Sequence, residues 1–261
     1  MKTLIRVKNS NYSRYEELLF RKDTLEKEAK SYLASYINIF GPLTAKSFQI
    51  QIECIRQKKA ITLCQIAINK GEFPNLDIIN KNLETQMQAY YDELEAIVKQ
   101  NKLYRILKSV PEAKYAKIKK LYHQLVKLLH PDLNPHTNKI PALIDLWDRA
   151  VSAYKANQLN ELEEIMVLAK KAIEKAGLGE IEIDIPNIDE KITELEEKSA
   201  YILKNDPYRY KDILNDPVAI EEKKDEIRKE IRKYKKYKKE LDNTLKEMLG
   251  NEADKIKWTI H

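Results

Sequence analysis

Ile118 to Pro135 reads IKKLYHQLVKLLHPDLNP, and this stretch decides the fold of the central part of the chain. Its apolar residues recur at helical spacing, which predicts an amphipathic helix. Proline disfavours the helical conformation in the residue before it, so Pro131 predicts that the helix ends near Leu129. Asp132 and the Asn134-Pro135 pair then extend a polar turn. Since loops on a firm scaffold often carry function, this turn is a candidate recognition element.

The flanks of this stretch complete a helical hairpin. Upstream, Tyr104, Leu107 and Val110 predict a short first helix, and Pro111-Glu112 suits the first turn of the next helix. Downstream, a second apolar stripe recurs at helical spacing and predicts a third helix. Its members are Leu143, Leu146, Trp147, Ala150 and Tyr154. Two antiparallel helices joined by a polar tip follow from this pattern.

From about Lys102 to Leu159 the chain resembles a J domain, the module that defines DnaJ-type co-chaperones. The resemblance rests on the His130-Pro131-Asp132 tripeptide, the Asn134-Pro135 pair after it, and the order and spacing of the flanking residues. These flanking residues are Tyr104, Leu107, Ile118, Lys119, Lys120, Tyr122, Leu125, Trp147, Ala153 and Tyr154. The chain is similar to bacterial members that carry helical extensions on both sides.

The resemblance implies that the chain binds a DnaK-type seventy-kilodalton heat-shock chaperone and stimulates its ATP hydrolysis, which couples that chaperone to a client protein. The second helix would face an acidic surface, because residues 112–129 hold five lysines against one glutamate. The residues implied in chaperone binding are His130, Pro131, Asp132, Asn134, Lys117, Lys119, Lys120, His123 and Lys127. Asp132 would accept a charge-assisted hydrogen bond from an arginine of the chaperone.

Simpler interpretations of the same residues stay open. His130 could be a loop histidine without a partner, and the lysines could form only a solvated helix face. The trio His123, His130 and His136 is a poor metal site, since its spacings do not share one helical face and no thiolate lies near. We therefore expect no metal and no cofactor.

Composition limits the other classes. The chain has 261 residues, a net charge of +6, 34% charged residues and only 5 glycines, which favours long helices. Cys54 and Cys64 stand alone, so the zinc repeats of larger DnaJ proteins are absent, as is their Gly/Phe-rich linker. Unpaired thiols, no signal peptide and no membrane-spanning run predict a cytoplasmic protein. Without a phosphate-binding glycine loop or a nucleophile motif, we expect no enzyme activity.

The remaining sequence predicts antiparallel helical or coiled-coil arms around the J-like segment. In the first hundred residues one helix ends at Gly41-Pro42, a second runs from Leu43 to Asn69, and a third follows Pro74. The helix after Tyr154 continues to Lys175, and residues 187–249 form a coiled-coil hairpin. The predicted domains are a helical arm (1–100), the J-like domain with an extended third helix (101–176), a linker or strand (177–186), and the coiled-coil hairpin with a terminal strand (187–261).

Three short stretches alternate as strands do: Leu4–Val7, Ile181–Ile185 and Ile256–Ile260. The middle stretch is acidic between its isoleucines and the last is basic, so opposite charges would favour pairing. We predict a small antiparallel sheet that joins both termini to the linker. An extended linker with two free tails is the alternative.

A basic segment in the C-terminal arm supports an alternative function. It interleaves basic residues with Tyr234 and Tyr237, as nucleic-acid-binding segments can. Its basic members are Arg232, Lys233, Lys235, Lys236, Lys238 and Lys239. The chain could thus be a coiled-coil scaffold or nucleic-acid-binding protein, although a lysine-rich helix is more often only a solvated face.

Overall fold

The structure is a computed structural model that describes residues 4–7, 10–106, 110–177, 180–183 and 185–256. In chain order its elements are β1 (Leu4–Val7), α1 (Tyr12–Asn69), α2 (Leu76–Ile106), α3 (Glu112–Leu129), α4 (Pro141–Lys155), α5 (Leu159–Lys175), β2 (Glu180–Ile183), α6 (Ile188–Lys204), α7 (Tyr210–Leu214) and α8 (Pro217–Leu249), with short 3-10 turns at Thr137–Lys139 and Gly250–Ile256. The prediction of a mainly helical protein is confirmed.

The chain divides into two compact units, each built from segments that are distant in sequence. The first unit takes Met1–Tyr32 and Lys108–Arg209, and the second takes Leu33–Leu107 and Tyr210–His261. The domains predicted from sequence were contiguous, so their boundaries differ from these units. Apolar periodicity identifies the buried face of each helix, but it does not identify the helix that packs against that face.

The core of the first unit lies between α3, α4 and α5, which pack on one another. The N-terminal turns of α1 and the apolar face of α6 complete the same core. Its largest side chains with almost no exposure are Ile118, Tyr122, Leu125, Leu129, Leu133, Leu143, Leu162 and Ile165. Burying this much apolar surface makes the bundle a firm support for the loop between α3 and α4.

The predicted extended third helix is wrong, because α4 and α5 are separate helices. Asn157 adopts a left-handed φ of 58° between them. The Gln158 N–H donates to the Ala153 carbonyl (2.9 Å) and the Asn157 N–H to the Tyr154 carbonyl (3.3 Å). This is the hydrogen-bond pattern of a Schellman motif, and asparagine tolerates the left-handed conformation better than most residues. The break lets α5 fold back onto α3 and α4.

The short first helix predicted around Tyr104 is also wrong. Tyr104 lies in the last turns of α2, a helix of 31 residues that belongs to the second unit. Its carbonyl accepts a hydrogen bond from the side chain of Asn38. Leu107 lies outside the described residues, and Val110 packs at the edge of the first unit's core.

The helix break predicted at Gly41-Pro42 does not occur, and α1 continues through both residues. A proline inside a helix removes one backbone hydrogen bond, and here packing against α2 overrides that local cost. The side-chain N–H of Asn101 donates to the Gly41 carbonyl (2.9 Å). A Cβ atom at position 41 would approach the Asn101 side chain to within 2.3 Å. A larger residue at position 41 would therefore require the Asn101 side chain to move.

The coiled-coil hairpin predicted over residues 187–249 is wrong, because its two helices belong to different units. The apolar face of α6 packs in the core of the first unit. In the second unit, Ile231, Tyr234 and Leu241 of α8 pack with Ile50 and Cys54 of α1. Both apolar stripes are thus real helical faces whose partners differ from those predicted.

The predicted antiparallel sheet is wrong. In its place, β1 and β2 form one parallel pair, with Leu4 beside Glu180 and Val7 beside Ile183. Of the third predicted strand, Ile256 lies in a 3-10 turn, and residues 257–261 lie outside the described part of the chain. Among the described helices, none combines the length and apolar character that crossing a membrane requires.

Candidate functional site

The loop after α3 has a fixed conformation. His130 leaves the helix with an extended backbone (φ −60°, ψ 124°), as expected for a residue before proline. The His130 carbonyl accepts from the N–H groups of Leu133 (2.9 Å) and Asn134 (2.8 Å). Its ring nitrogen Nδ1 accepts from the N–H of Asp132 (3.1 Å), and its ring packs edge-on against Trp147. The histidine therefore shapes the loop from both sides.

Asn134 holds the base of this loop rather than its surface. It is only 3% exposed, and the neighbouring Leu133 is fully buried. The Asn134 side-chain N–H donates to the Leu128 carbonyl (2.8 Å), and its side-chain oxygen accepts from the His136 N–H (3.1 Å). A partner protein cannot reach this amide directly, so its predicted place among the binding residues is best understood as support for the loop.

Asp132 is exposed at the tip of the loop, where its carboxylate has one contact that the sequence did not predict. The hydroxyl of Tyr15, in the first turn of α1, donates to the Asp132 carboxylate at 3.1 Å. Tyr15 itself is only 2% exposed. Burial, followed by the charge of Asp132, raises the pKa of Tyr15 far above its usual value, so the phenol stays protonated and remains a donor.

The predicted basic face of α3 is divided into two groups. Lys119, His123 and Lys127 follow one another at i, i+4 spacing and contact residues of α1, although Lys127 is also exposed to solvent. Lys117 and Lys120 are exposed. The Lys127 ammonium contacts the carboxylate of Glu16 at 2.7 Å. A weaker ion pair joins Lys119 and Glu28 at 3.8 Å. Half of the predicted docking face is therefore already in contact with acidic residues of the same chain.

His123 contributes to the contact between α3 and α1 through its aromatic ring. It stacks on Phe20 of α1 with a centroid distance of 4.2 Å. Burial, followed by the charge of Lys127, lowers the pKa of His123, while Glu16 opposes that shift. Since the ordinary histidine pKa is about 6.5, the ring is neutral at pH 7. Glu16 therefore pairs with Lys127 rather than with a charged His123.

An aromatic cluster fixes α3 against α4 behind the loop. Tyr122 stacks face to face on Tyr154 at 3.8 Å and lies beside Trp147 at 6.1 Å. Its hydroxyl donates to the carboxylate of Asp23 on α1 at 2.8 Å. The sequence predicted Trp147 and Tyr154 on an apolar helical face, and it placed Tyr122 only among the residues that resemble a J domain. Nothing in the sequence indicated that Asp23 would contact Tyr122, because Asp23 is about a hundred positions earlier in the chain.

We expect the stability of the first unit to fall as pH decreases from about 7 towards 5. Burial lowers the pKa of His130, and Lys22 and Lys191 act in the same direction, whereas Asp132 and Asp23 oppose them. The unfolded chain, with a histidine pKa of about 6.5, then binds a proton that the folded chain resists. The contribution of neutral His130 to stability is fully present above the pKa of the unfolded chain. It is lost as pH falls towards the lower pKa that His130 has in the folded chain.

Urea unfolding at a series of pH values measures this effect. His130→Gln should flatten the decline without abolishing it, because His123 also has a lowered pKa. An unchanged slope in the variant would show that His130 does not contribute.

The second predicted group, residues 232–239, lies on α8 in the second unit. Lys238 forms an ion pair with Glu53 of α1, and Tyr234 packs inward. Tyr237 is 39% exposed. The other basic side chains are exposed, namely Arg232, Lys233, Lys235, Lys236 and Lys239. The structure thus leaves five of the six predicted basic residues at the surface and places one in a packing contact.

Comparison of the chain with models of known families, with curated protein sequences and with solved structures found no match. The resemblance to J domains therefore rests on residues of this chain alone. They are the His130-Pro131-Asp132 tripeptide, the Asn134-Pro135 pair after it, and the order and spacing of the flanking residues between about Lys102 and Leu159.

Proposed function

We propose that this chain is a J-domain co-chaperone that binds a DnaK-type heat-shock chaperone and stimulates its ATP hydrolysis. The observation that carries the proposal is the exposed Asp132 carboxylate at the tip of a fixed loop. His130 and Asn134 hold that loop by hydrogen bonds, between two helices packed on a common core. An exposed carboxylate on such a loop is well suited to a charge-assisted hydrogen bond with an arginine.

The charge of α3 supports the same partner. Lys114, Lys117 and Lys120 are exposed on the helix that leads to the loop. A field of this sign mainly raises the rate of association with an acidic surface and orients the encounter, and salt screens it. In this proposal the catalytic groups belong to the chaperone, and the chain is an activator rather than an enzyme.

The second unit is proposed to position the J-like unit or to select a client protein. Its two free cysteines, Cys54 and Cys64, are buried, which is compatible with a reducing cytoplasm. The test of the proposal is ATP hydrolysis by a purified DnaK-type chaperone as the full chain is added. Stimulation that depends on Asp132 supports the proposal, and its absence contradicts it.

A second candidate function is nucleic-acid binding by α8. In the N-terminal half of α8, acidic residues neutralise the charges, as in the pairs Lys223–Glu226, Lys224–Glu221 and Arg228–Asp225. Residues 232–239 contain no acidic residue. With 100° of rotation per helical residue, Arg232, Lys235, Lys236 and Lys239 fall within an arc of about 100°. A single-sign stripe beside the partly exposed Tyr237 favours a polyanion.

If this second function holds, the triple variant Lys235→Glu, Lys236→Glu and Lys239→Glu should weaken binding to DNA or RNA on the order of 10-fold or more, because fewer counterions are released. Lys238 is left unchanged, since its ion pair with Glu53 belongs to the fold. Fluorescence anisotropy at low and moderate salt measures both the affinity and its salt dependence.

The matched control reverses Lys114, Lys117 and Lys120 on α3, which changes the net charge equally. That control should retain nucleic-acid binding, whereas any chaperone stimulation should become weaker because association is slower. If both triple variants lose nucleic-acid binding equally, the α8 stripe is not the binding surface.

A further inference from the structure

The N-terminal part of α1 begins beside the His130-Pro131-Asp132 loop and runs from there along α3. Going forward along α1, Tyr15 meets Asp132, Glu16 meets Lys127, and Glu28 meets Lys119. The two helices are therefore antiparallel over this stretch. Asp132, Lys119 and Lys127, three of the residues that the J-domain resemblance implies in chaperone binding, therefore already have partners within the chain.

The two contacts nearest the loop differ from ordinary surface pairs. Tyr15 is 2% exposed, and the side chain of Glu16 is 13% exposed, so both have a nearly fixed position. The residues that they contact remain accessible to solvent, because Asp132 is exposed and the side chain of Lys127 is 48% exposed. A partner can thus reach Asp132 and Lys127, but it must replace the contacts that they already have.

Displacement of the whole helix is not required for this exchange. Tyr12, Tyr15, Leu18 and Leu19 are buried in the core of the first unit and hold α1 in place. By contrast, the bond to Asp132 and the pair with Lys127 can open through rotation of the exposed side chains alone. A partner therefore competes only with the Tyr15–Asp132 and Glu16–Lys127 contacts, and the apolar packing of α1 stays in place.

We infer that Tyr15 and Glu16 form an intramolecular latch that competes with the chaperone for Asp132 and Lys127 and so reduces the affinity of the docking site. This inference rests on the proposed function and adds a mode of regulation to it. Any event that removes these two contacts would then increase the affinity for the chaperone.

The latch is tested by Tyr15→Phe and Glu16→Gln, singly and together, in the full chain. Phenylalanine keeps the buried ring and removes only the hydroxyl, and glutamine removes the charge at nearly constant shape. The readout is the chain concentration that gives half-maximal stimulation of a DnaK-type ATPase. The double variant removes one hydrogen bond to a charged group and one partly exposed ion pair. It should therefore lower the half-maximal concentration about 3- to 10-fold.

Glu17→Gln is the matched control, because Glu17 is exposed on the same turn and loses the same charge. It should leave the half-maximal concentration unchanged. An equal gain in this control would overturn the latch, since a general charge effect would then explain the result.

The failure of the latch and that of the proposed function give different results. If the unaltered chain and all variants stimulate the ATPase, and the double variant has the same half-maximal concentration as the unaltered chain, the latch alone is overturned. No stimulation by any protein overturns the proposed function and the latch with it. Circular dichroism melting confirms that each variant is folded.

Discussion

Asp132→Asn should reduce stimulation of a DnaK-type ATPase by about 10-fold or more, because the variant loses a charge-assisted hydrogen bond worth about 1.5–3 kcal/mol. The substitution leaves the loop intact. It is the backbone N–H of Asp132 that donates to His130, and an asparagine oxygen can still accept from Tyr15. Single-turnover ATP hydrolysis with saturating chaperone measures the effect directly.

His130→Gln should act in the same direction for a different reason. It removes the ring that packs against Trp147 and the acceptor for the Asp132 N–H. The loop then loses its fixed shape while its charge is retained. Glu163→Gln is the matched control, since Glu163 is exposed on α5 in the same unit and loses the same charge as Asp132→Asn. The assignment fails if Asp132→Asn stimulates as well as this control does.

Tyr122→Ala should lower the free energy of unfolding of the first unit by about 3–5 kcal/mol, the usual range for removing a large buried aromatic side chain. Tyr122 is 1% exposed and stacks on Tyr154, so its removal leaves a cavity between α3 and α4. The substitution also leaves the partly buried Asp23 without its hydroxyl donor. Urea denaturation, followed by the helical signal in far-ultraviolet circular dichroism, measures the change in the free energy of unfolding.

Two comparisons separate packing from hydrogen bonding. Tyr122→Phe keeps the ring and should cost about 1–3 kcal/mol, the range for leaving a polar partner unsatisfied. Gln124→Ala lies on the exposed face of the same helix and should change stability by no more than about 0.5 kcal/mol. Equal, small losses in Tyr122→Ala and Gln124→Ala would show that the aromatic cluster does not hold the two helices together.

The part of the fold predicted correctly is the part set by local chemistry. Pro131 ends α3 where its backbone restriction requires. Most residues of the predicted apolar stripes of α3 and α4 are buried, whereas Leu121, Leu128 and Trp147 are only partly buried. The failures have two sources. At Gly41-Pro42, packing against α2 overrides the local tendency to break. At Asn157, a left-handed cap ends α4 where the sequence predicts a continuous helix.

Long-range pairing could not be predicted from a single sequence. The apolar stripes of α6 and α8 each indicate a buried face, but periodicity is identical whether two faces meet each other or meet different partners. The structure assigns them to different units. The same limit applies to the site, because Tyr15 and Glu16 are more than a hundred residues from Asp132 and Lys127. The apolar periodicity around Tyr15 and Glu16 predicted a helix, but it did not predict that these residues contact Asp132 and Lys127.

The most direct test of the central claim is single-turnover ATP hydrolysis by a DnaK-type chaperone in the presence of the full chain. The unaltered chain should raise the rate constant above that of the chaperone alone, and Asp132→Asn should leave it near the unstimulated value. Equal rate constants for the chaperone alone and with the unaltered chain, or equal stimulation by the unaltered chain and Asp132→Asn, would contradict the proposed co-chaperone function.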